Sequence, residues 1–165
     1  MQLLTNTQLR YTVERMALEI LEHNFHETEI ILAGINNNGM RVAERLHLLL
    51  ARRAPHITFT RAHIRLQPAA PTAHPISISI AEDALTQKVI IVVDDVAHTG
   101  RTLYYALRPL MNTLCKKVEI AVLVDRKHKS FPAQPDYIGL SLATTLQETI
   151  NVCLDNTDDE GVFIH

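Results

Sequence analysis

Val89-Ile90-Ile91-Val92-Val93 has no polar residue at any alternate position, so a strand built from it has no face to turn to water. Such a strand belongs inside a sheet covered on both sides, and that requirement narrows the fold more than any other feature of the 165 residues. Two carboxylates, Asp94 and Asp95, follow at once. A short run then ends in Thr99-Gly100-Arg101-Thr102, and the residues after it repeat as a helix does.

The rest of the chain alternates in the same way. Leu9, Val13, Met16, Ala17, Ile20 and Leu21 recur at helical spacing, with Asn6 or Thr7 as N-cap. Residues 29–35 form a short apolar strand leading into a polar turn, Asn36-Asn37-Asn38-Gly39, and 40–54 read as a second helix. Residues 57–66 alternate as a half-exposed strand, 67–75 carry three prolines and form a loop, and 76–80 alternate again. A helix over about 102–114 and a strand over 119–124 follow, then short apolar pieces and an acidic tail. Helix and strand alternating with short connections predict an α/β fold with a mainly parallel central sheet flanked by helices, residues 1–165 forming a single domain. Ligands of such sheets sit beyond the carboxyl ends of the strands, where both turns lie.

Composition excludes more than it selects. A formal net charge of −2 carries no electrostatic footprint for nucleic acid. Cys115 and Cys153 are far apart and read as buried thiols of a reducing compartment. With no signal segment and no apolar run long enough for a bilayer, the expected location is the cytoplasm, away from membranes. Gly34 and Gly39 have the spacing of a Walker A loop, but Met40 and Arg41 stand where lysine and Ser/Thr are required. His23 and His26 lack a third metal ligand and read as partners of a helix C-terminus.

The turn from Ala97 to Thr102 has the means to cradle a phosphate: N–H groups at a helix start, a glycine that admits close approach, and two threonine hydroxyls. The acids upstream would repel that phosphate unless they serve another part of the same ligand, and carboxylates accept hydrogen bonds from vicinal hydroxyls. A 5-phosphorylated ribose has both halves. An N-capping aspartate beside a buried strand acid explains the same residues without a ligand, and the sequence physics leaves the two readings open. Because side chains alternate along a strand, Asp94 and Asp95 are expected to converge only if the strand ends there.

The stretch VVDDVAHTGRT resembles the 5-phosphoribosyl-1-pyrophosphate (PRPP) motif of type I phosphoribosyltransferases. ILAGINNNGMRVAERL, VIIVVDDVAHTGRT and IAVLVDRKHKSFPAQPDYIGLSLAT together are similar to the bifunctional pyrimidine-operon attenuation regulators that are also uracil phosphoribosyltransferases, over about residues 9–154. The resemblance implies the type I fold with a small hood. It makes Asp94 and Asp95 the ribose ligands and the residues closest to the chemistry, and Ala97, His98, Thr99, Gly100, Arg101 and Thr102 the 5-phosphate loop. Ile35, Asn36, Asn37, Asn38 and Gly39 become the pyrophosphate turn. Asp125, Arg126, Asp136, Tyr137 and Ile138 become the hood over the base. Mg²⁺ is expected to arrive with PRPP, held by ligand and water rather than by a protein cage. The implied reaction displaces pyrophosphate by a ring nitrogen of a nucleobase, uracil first, in a homo-oligomer.

Three features depart from the pattern. The pyrophosphate turn carries asparagines instead of a cation, with Arg41 inside the helix behind it. Gln67-Pro68-Ala69-Ala70 replaces a Tyr-Arg-Asp-Asp segment and its long mobile loop, with His74 as a solvated loop histidine. The first helix mixes Arg10 and Arg15 with Glu14, Glu19 and Glu22, and Lys127, His128 and Lys129 read as a solvated turn, so RNA is not the expected partner. His98, inside the phosphate loop, either donates to phosphate or is a spacer whose backbone binds. The neutral turn and the lost lid also fit a second reading, a binding protein with little turnover that senses PRPP or a nucleotide such as UMP and regulates a partner or, as a pyrimidine attenuator, RNA.

Overall fold

The computed structural model describes residues 1–143 and 147–165; Thr144, the last residue of the stretch that resembles the attenuation regulators, lies outside them. The elements are β1 (Gln2–Leu4), α1 (Asn6–Asn24), β2 (Glu29–Ile35), α2 (Asn36–Arg53), β3 (Thr58–Arg65), β4 (Ser77–Ile78), β5 (Val89–Ala97), α3 (Arg101–Ala106), β6 (Lys117–Arg126), β7 (Tyr137–Leu142), β8 (Ile150–Cys153) and β9 (Gly161–Ile164), with 3₁₀ turns at Glu82–Leu85 and Arg108–Asn112. A six-stranded sheet runs in the order β4-β3-β2-β5-β6-β7. Every pair in it is parallel except β3 with the short edge strand β4.

Both faces of the sheet are covered, as the apolar run at Val89 requires. Ile30, Leu32, Ile91 and Val93 point to the side where Val13, Met16, Val42 and Leu46 of α1 and α2 pack. Their neighbours Ile31, Ala33, Ile90 and Val92 point the other way, against Leu103, Ala106 and Leu110. Full burial of an aliphatic side chain contributes about 1.5–3 kcal/mol, so these two layers hold the strands in place.

Several boundaries move for local reasons. The cap of α1 is Thr5, one residue before Asn6: its hydroxyl accepts from Gln8 N while Gln8 Oε1 accepts from Thr5 N, a reciprocal capping box. The polar turn after β2 is the first turn of α2 itself. The helix expected to reach residue 114 ends at Ala106, and Pro109, which has no N–H to give an α-helix, sits in the 3₁₀ turn that follows. Of residues 76–80 only Ser77 and Ile78 pair, antiparallel to β3.

The two ends of the chain meet in a second sheet, β1-β9-β8, which the sequence pattern did not indicate. Its buried Val152 and Val162 join the core layer formed by α1 and α2. Arg41 and Arg45 of α2 tie it down through Asp155 and Glu160. Among the described residues no helix is long and apolar enough to cross a membrane.

Candidate active site

The connection from β2 runs outward to β3 through α2, whereas the connection from β5 runs to β6 on the other side. Their carboxyl ends therefore part at a topological switch point, where the sheet opens a crevice. β5 stays paired with β2 only through Gly34–Val93 but continues along β6 to Ala97–Asp125. The expected strand end at Asp94 is thus a release from one neighbour, and the strand runs on along the other.

At that release Asp94 is buried and Asp95 half-buried. Asp94 Oδ1 accepts from Asp95 N at 2.9 Å, and Asp95 Oδ1 accepts from Val96 N at 2.8 Å. Both carboxylates line one cavity of about 660 Å³. Burial, then the charge of Asp95, pushes the Asp94 carboxyl well above its ordinary range. Gly39 at the start of α2 permits this closeness, since a Cβ there would stand 2.5 Å from Val93 O.

The Asn36–Gly39 turn forms the facing wall. Asn36 takes φ = 50°, a left-handed conformation that asparagine tolerates. Its amide is spent on the backbone of β3's end: Nδ2 donates to Leu66 O at 3.0 Å and Oδ1 accepts from Leu66 N at 3.1 Å. Asn38 Nδ2 donates to Asp95 Oδ2 at 3.1 Å and orients that carboxylate. Arg41 points away, paired with Asp155.

Residues Val96–Leu103 line an adjoining hollow of about 260 Å³. Gly100 sits at φ = 83°, and a Cβ there would meet Phe131 O at 3.2 Å. The segment after β6 props up this turn. Ser130 N and Phe131 N both donate to Thr99 O, and Lys129 Nζ donates to His98 O at 3.1 Å and to Asp125 Oδ1 at 2.5 Å. Lys129 is therefore a half-buried structural cation, where a solvated turn was expected. His98 is exposed; what burial it has, then Arg126, Lys129 and His128, lowers its pKa and favours a neutral ring. Arg101 reaches across to donate to Pro68 O at 2.9 Å, strapping the proline-bearing loop to the turn.

The structure divides the residues expected to form the hood. Asp125 and Arg126 end β6 on the cavity side of the sheet, with Asp125 bonded to Lys129 and Arg126 donating to Glu148 O. Asp136, Tyr137 and Ile138 lead into β7 beside the middle of β6. Asp136 Oδ2 accepts from Ile120 N at 2.8 Å, and five residues of strand, about 16 Å, separate Ile120 from Asp125. Tyr137 is buried and donates to Glu119 Oε2 at 2.8 Å, and burial and this carboxylate raise its pKa. β7 runs parallel to β6 with Tyr137 beside Ala121 and Ile138 beside Val122, and Val122 is also the partner of Asp94. Ile138 therefore stands level with Asp94 across the sheet, while the side chains of Asp136 and Tyr137 are bonded to β6.

Sequence reasoning also missed His63 and Arg65 of β3 and the role of His74; all three line the larger cavity. The alternation of residues 57–66 puts Arg61, His63 and Arg65 on one face of a strand whose carboxyl end was already the expected ligand side. Among the described residues, no three His, Cys, Asp or Glu side chains are grouped to hold a metal ion.

Residues 1–156 match the phosphoribosyl transferase domain family. The chain is 33% identical over 171 residues to the bifunctional protein PyrR of Staphylococcus aureus strain bovine RF122 / ET3-1, spanning 98% of this chain and 96% of that protein. The PyrR of strain JH9 gives the same identity and coverage. In three dimensions it is similar to a hypoxanthine-guanine phosphoribosyltransferase of Bacillus anthracis, with a TM-score of 0.71 at 20% identity over 86% of this chain and 81% of that one. A hypoxanthine phosphoribosyl transferase of Trypanosoma cruzi gives a TM-score of 0.73 at 13% identity, over 88% and 79%. At such low identities these two establish the shared fold.

Proposed function

The chain belongs to the phosphoribosyl transferase family, in a branch similar to PyrR, and from that premise we propose that it transfers the 5-phosphoribosyl group of PRPP to a ring nitrogen of uracil, giving UMP and pyrophosphate. The observation that carries this reading is the pair Asp94 and Asp95, released from β2 into a cavity that also reaches Thr102 and the Asn36–Asn38 turn. One ligand carrying a phosphate, a diol and a second anionic group would meet all three.

In this reading Asp94 and Asp95 accept from the ribose hydroxyls, and Asn38 keeps Asp95 turned toward them. The backbone N–H groups and hydroxyls from Ala97 to Thr102 receive the 5-phosphate. The bond from the anomeric carbon to the diphosphate oxygen breaks as the bond to nitrogen forms, and the ring nitrogen gives up its proton. Positive charge develops on the ribose, where the Asp95 carboxylate, with Asp94 beside it, favours it over the ground state. Holding both reactants in line supplies much of the remaining rate. Mg²⁺ would be carried by diphosphate and water, with Asp94 and Asp95 the carboxylates available to it, and would neutralise charge on the leaving group. At the end of β6, Asp125 is occupied by Lys129, so base recognition there falls to main-chain groups. A homo-oligomer remains part of the proposal.

The test is one incubation with Mg²⁺, PRPP and a mixture of uracil, cytosine, hypoxanthine, guanine, adenine and xanthine, read by mass spectrometry. UMP is the expected product, and Asp95→Asn is expected to reduce it by about 100-fold or more. A purine monophosphate would replace uracil in the proposal. No monophosphate at all, with PRPP still raising the melting temperature, would favour the second reading of a PRPP sensor, which the uncharged turn and the strapped loop support.

A further inference from the structure

The pyrophosphate turn has no positive charge to offer. Asn36 is bonded to Leu66, Asn38 is bonded to Asp95, Asn37 is neutral, and Arg41 is turned away to Asp155. Asp94 and Asp95 make the same cavity unfavourable for an anion. A ligand with a diphosphate must find a cation elsewhere on the wall.

Among the described residues lining that cavity, Arg65 is the one lysine or arginine. It stands at the end of β3, exposed, and appears in none of the ion pairs or side-chain hydrogen bonds of the described residues. The other arginines near the site are engaged elsewhere, Arg101 with Pro68 O, Arg126 with Glu148 O and Arg41 with Asp155. The residue after Arg65 is the one whose N–H and C=O are both tied to the Asn36 amide. Arg65 is therefore fixed at backbone level beside the turn. His63, two residues earlier on the same face, and His74 from the proline-bearing loop line the same cavity. His63 Nε2 is buried without a hydrogen-bond partner. Burial, then the Arg65 guanidinium, lowers the His63 pKa, against a hydrogen bond to the Asn36 backbone that raises it.

We infer that Arg65, flanked by His63 and His74, is the group that receives the diphosphate of the ligand, in place of the cation absent from the Asn36–Gly39 turn. The inference rests on the phosphoribosyl reading of the cavity. The guanidinium fork suits two oxygens of one phosphate, with His63 and His74 lining the cavity beside it. As negative charge accumulates on the departing diphosphate, the Arg65 contact strengthens, so it acts on transfer as well as on binding.

The experiment titrates the native protein, Arg65→Gln and Arg65→Lys with Mg²⁺-pyrophosphate and separately with ribose 5-phosphate, by calorimetry. Arg65→Gln is expected to weaken pyrophosphate by about tenfold or more, the loss of one charged contact, and to leave ribose 5-phosphate within about twofold. Arg65→Lys, which keeps the charge without the fork, is expected to recover part of the difference. Unchanged pyrophosphate affinity in Arg65→Gln, no pyrophosphate binding to the native protein, or an equal loss of both ligands would each overturn the inference. Ribose 5-phosphate reports on the wider reading: if it fails to bind while pyrophosphate binding depends on Arg65, the cation stands and the ribose assignment falls.

Discussion

Asp94 keeps its proton over a range of pH in which an unfolded chain has already released it, because burial and Asp95 both disfavour its charge. The unfolded state then binds fewer protons than the folded one, so stability falls as pH rises from the ordinary carboxylate range through the raised value. Asp94→Asn removes that penalty while keeping the shape. The expected outcome is a higher melting temperature near neutral pH, with a weaker decline as pH rises above the ordinary carboxylate range. Transfer is expected to fall by about 100-fold or more in the same variant. Melts across that range, with product assays beside them, check both; a destabilised variant would mean that the hydrogen bond Asp94 accepts from Asp95 N outweighs the cost of its burial.

At the level of elements, the 5-phosphate turn belongs to two segments at once. Its residues come from the β5–α3 connection, but its support comes from Lys129, Ser130 and Phe131 beyond β6. Gly100→Ala is expected to cost about 1–2 kcal/mol for a left-handed φ, plus the contact with Phe131 O, and to weaken ribose 5-phosphate binding with it. Urea unfolding and the same calorimetry separate the two effects. The elements also mark what was legible in advance. Glu29–Ile35 and the Val89–Val93 core of β5 could be read directly, because an apolar run bounded by turn residues is a local signal. Asp94, Asp95 and the Ala97–Thr102 turn were legible for the same reason. Arg65 was not singled out, since its place depends on the pairing of Asn36 with Leu66, a contact between residues thirty positions apart. The contacts of Asp136 and Tyr137 were not legible either, since they are made with Ile120 and Glu119 on a neighbouring strand. β1 and β9 are too short to show a period, and each is a strand only because the other end of the chain pairs with it.

For the molecule as a whole, the two ways out of the sheet, from β2 to one side and from β5 to the other, decide where chemistry can occur. Asp94, Asp95 and Asn36–Asn38 come from beside that divide, and His63, Arg65 and His74 from β3 and the loop after it, while Asn24, Glu119 and Tyr137 form a buried hydrogen-bonded cluster elsewhere. The outer edge strand β7 is guarded by Arg15, which donates to Ile138 O and Gly139 O. The β1-β9-β8 sheet has a different consequence. Met1 N donates to Ile164 O at 2.7 Å and Ile164 N donates to Met1 O at 2.8 Å, so the backbone is nearly a closed ring. A circular permutant, with residue 165 joined to residue 1 by a short glycine linker and new ends opened between the exposed Pro55 and His56, is expected to fold and to keep the cavity, because that turn lies at the far end of β3. Circular dichroism and ribose 5-phosphate titration of the permutant would check this. If it folds, the order in which the chain is threaded is incidental, and neighbourhood in space alone specifies the site.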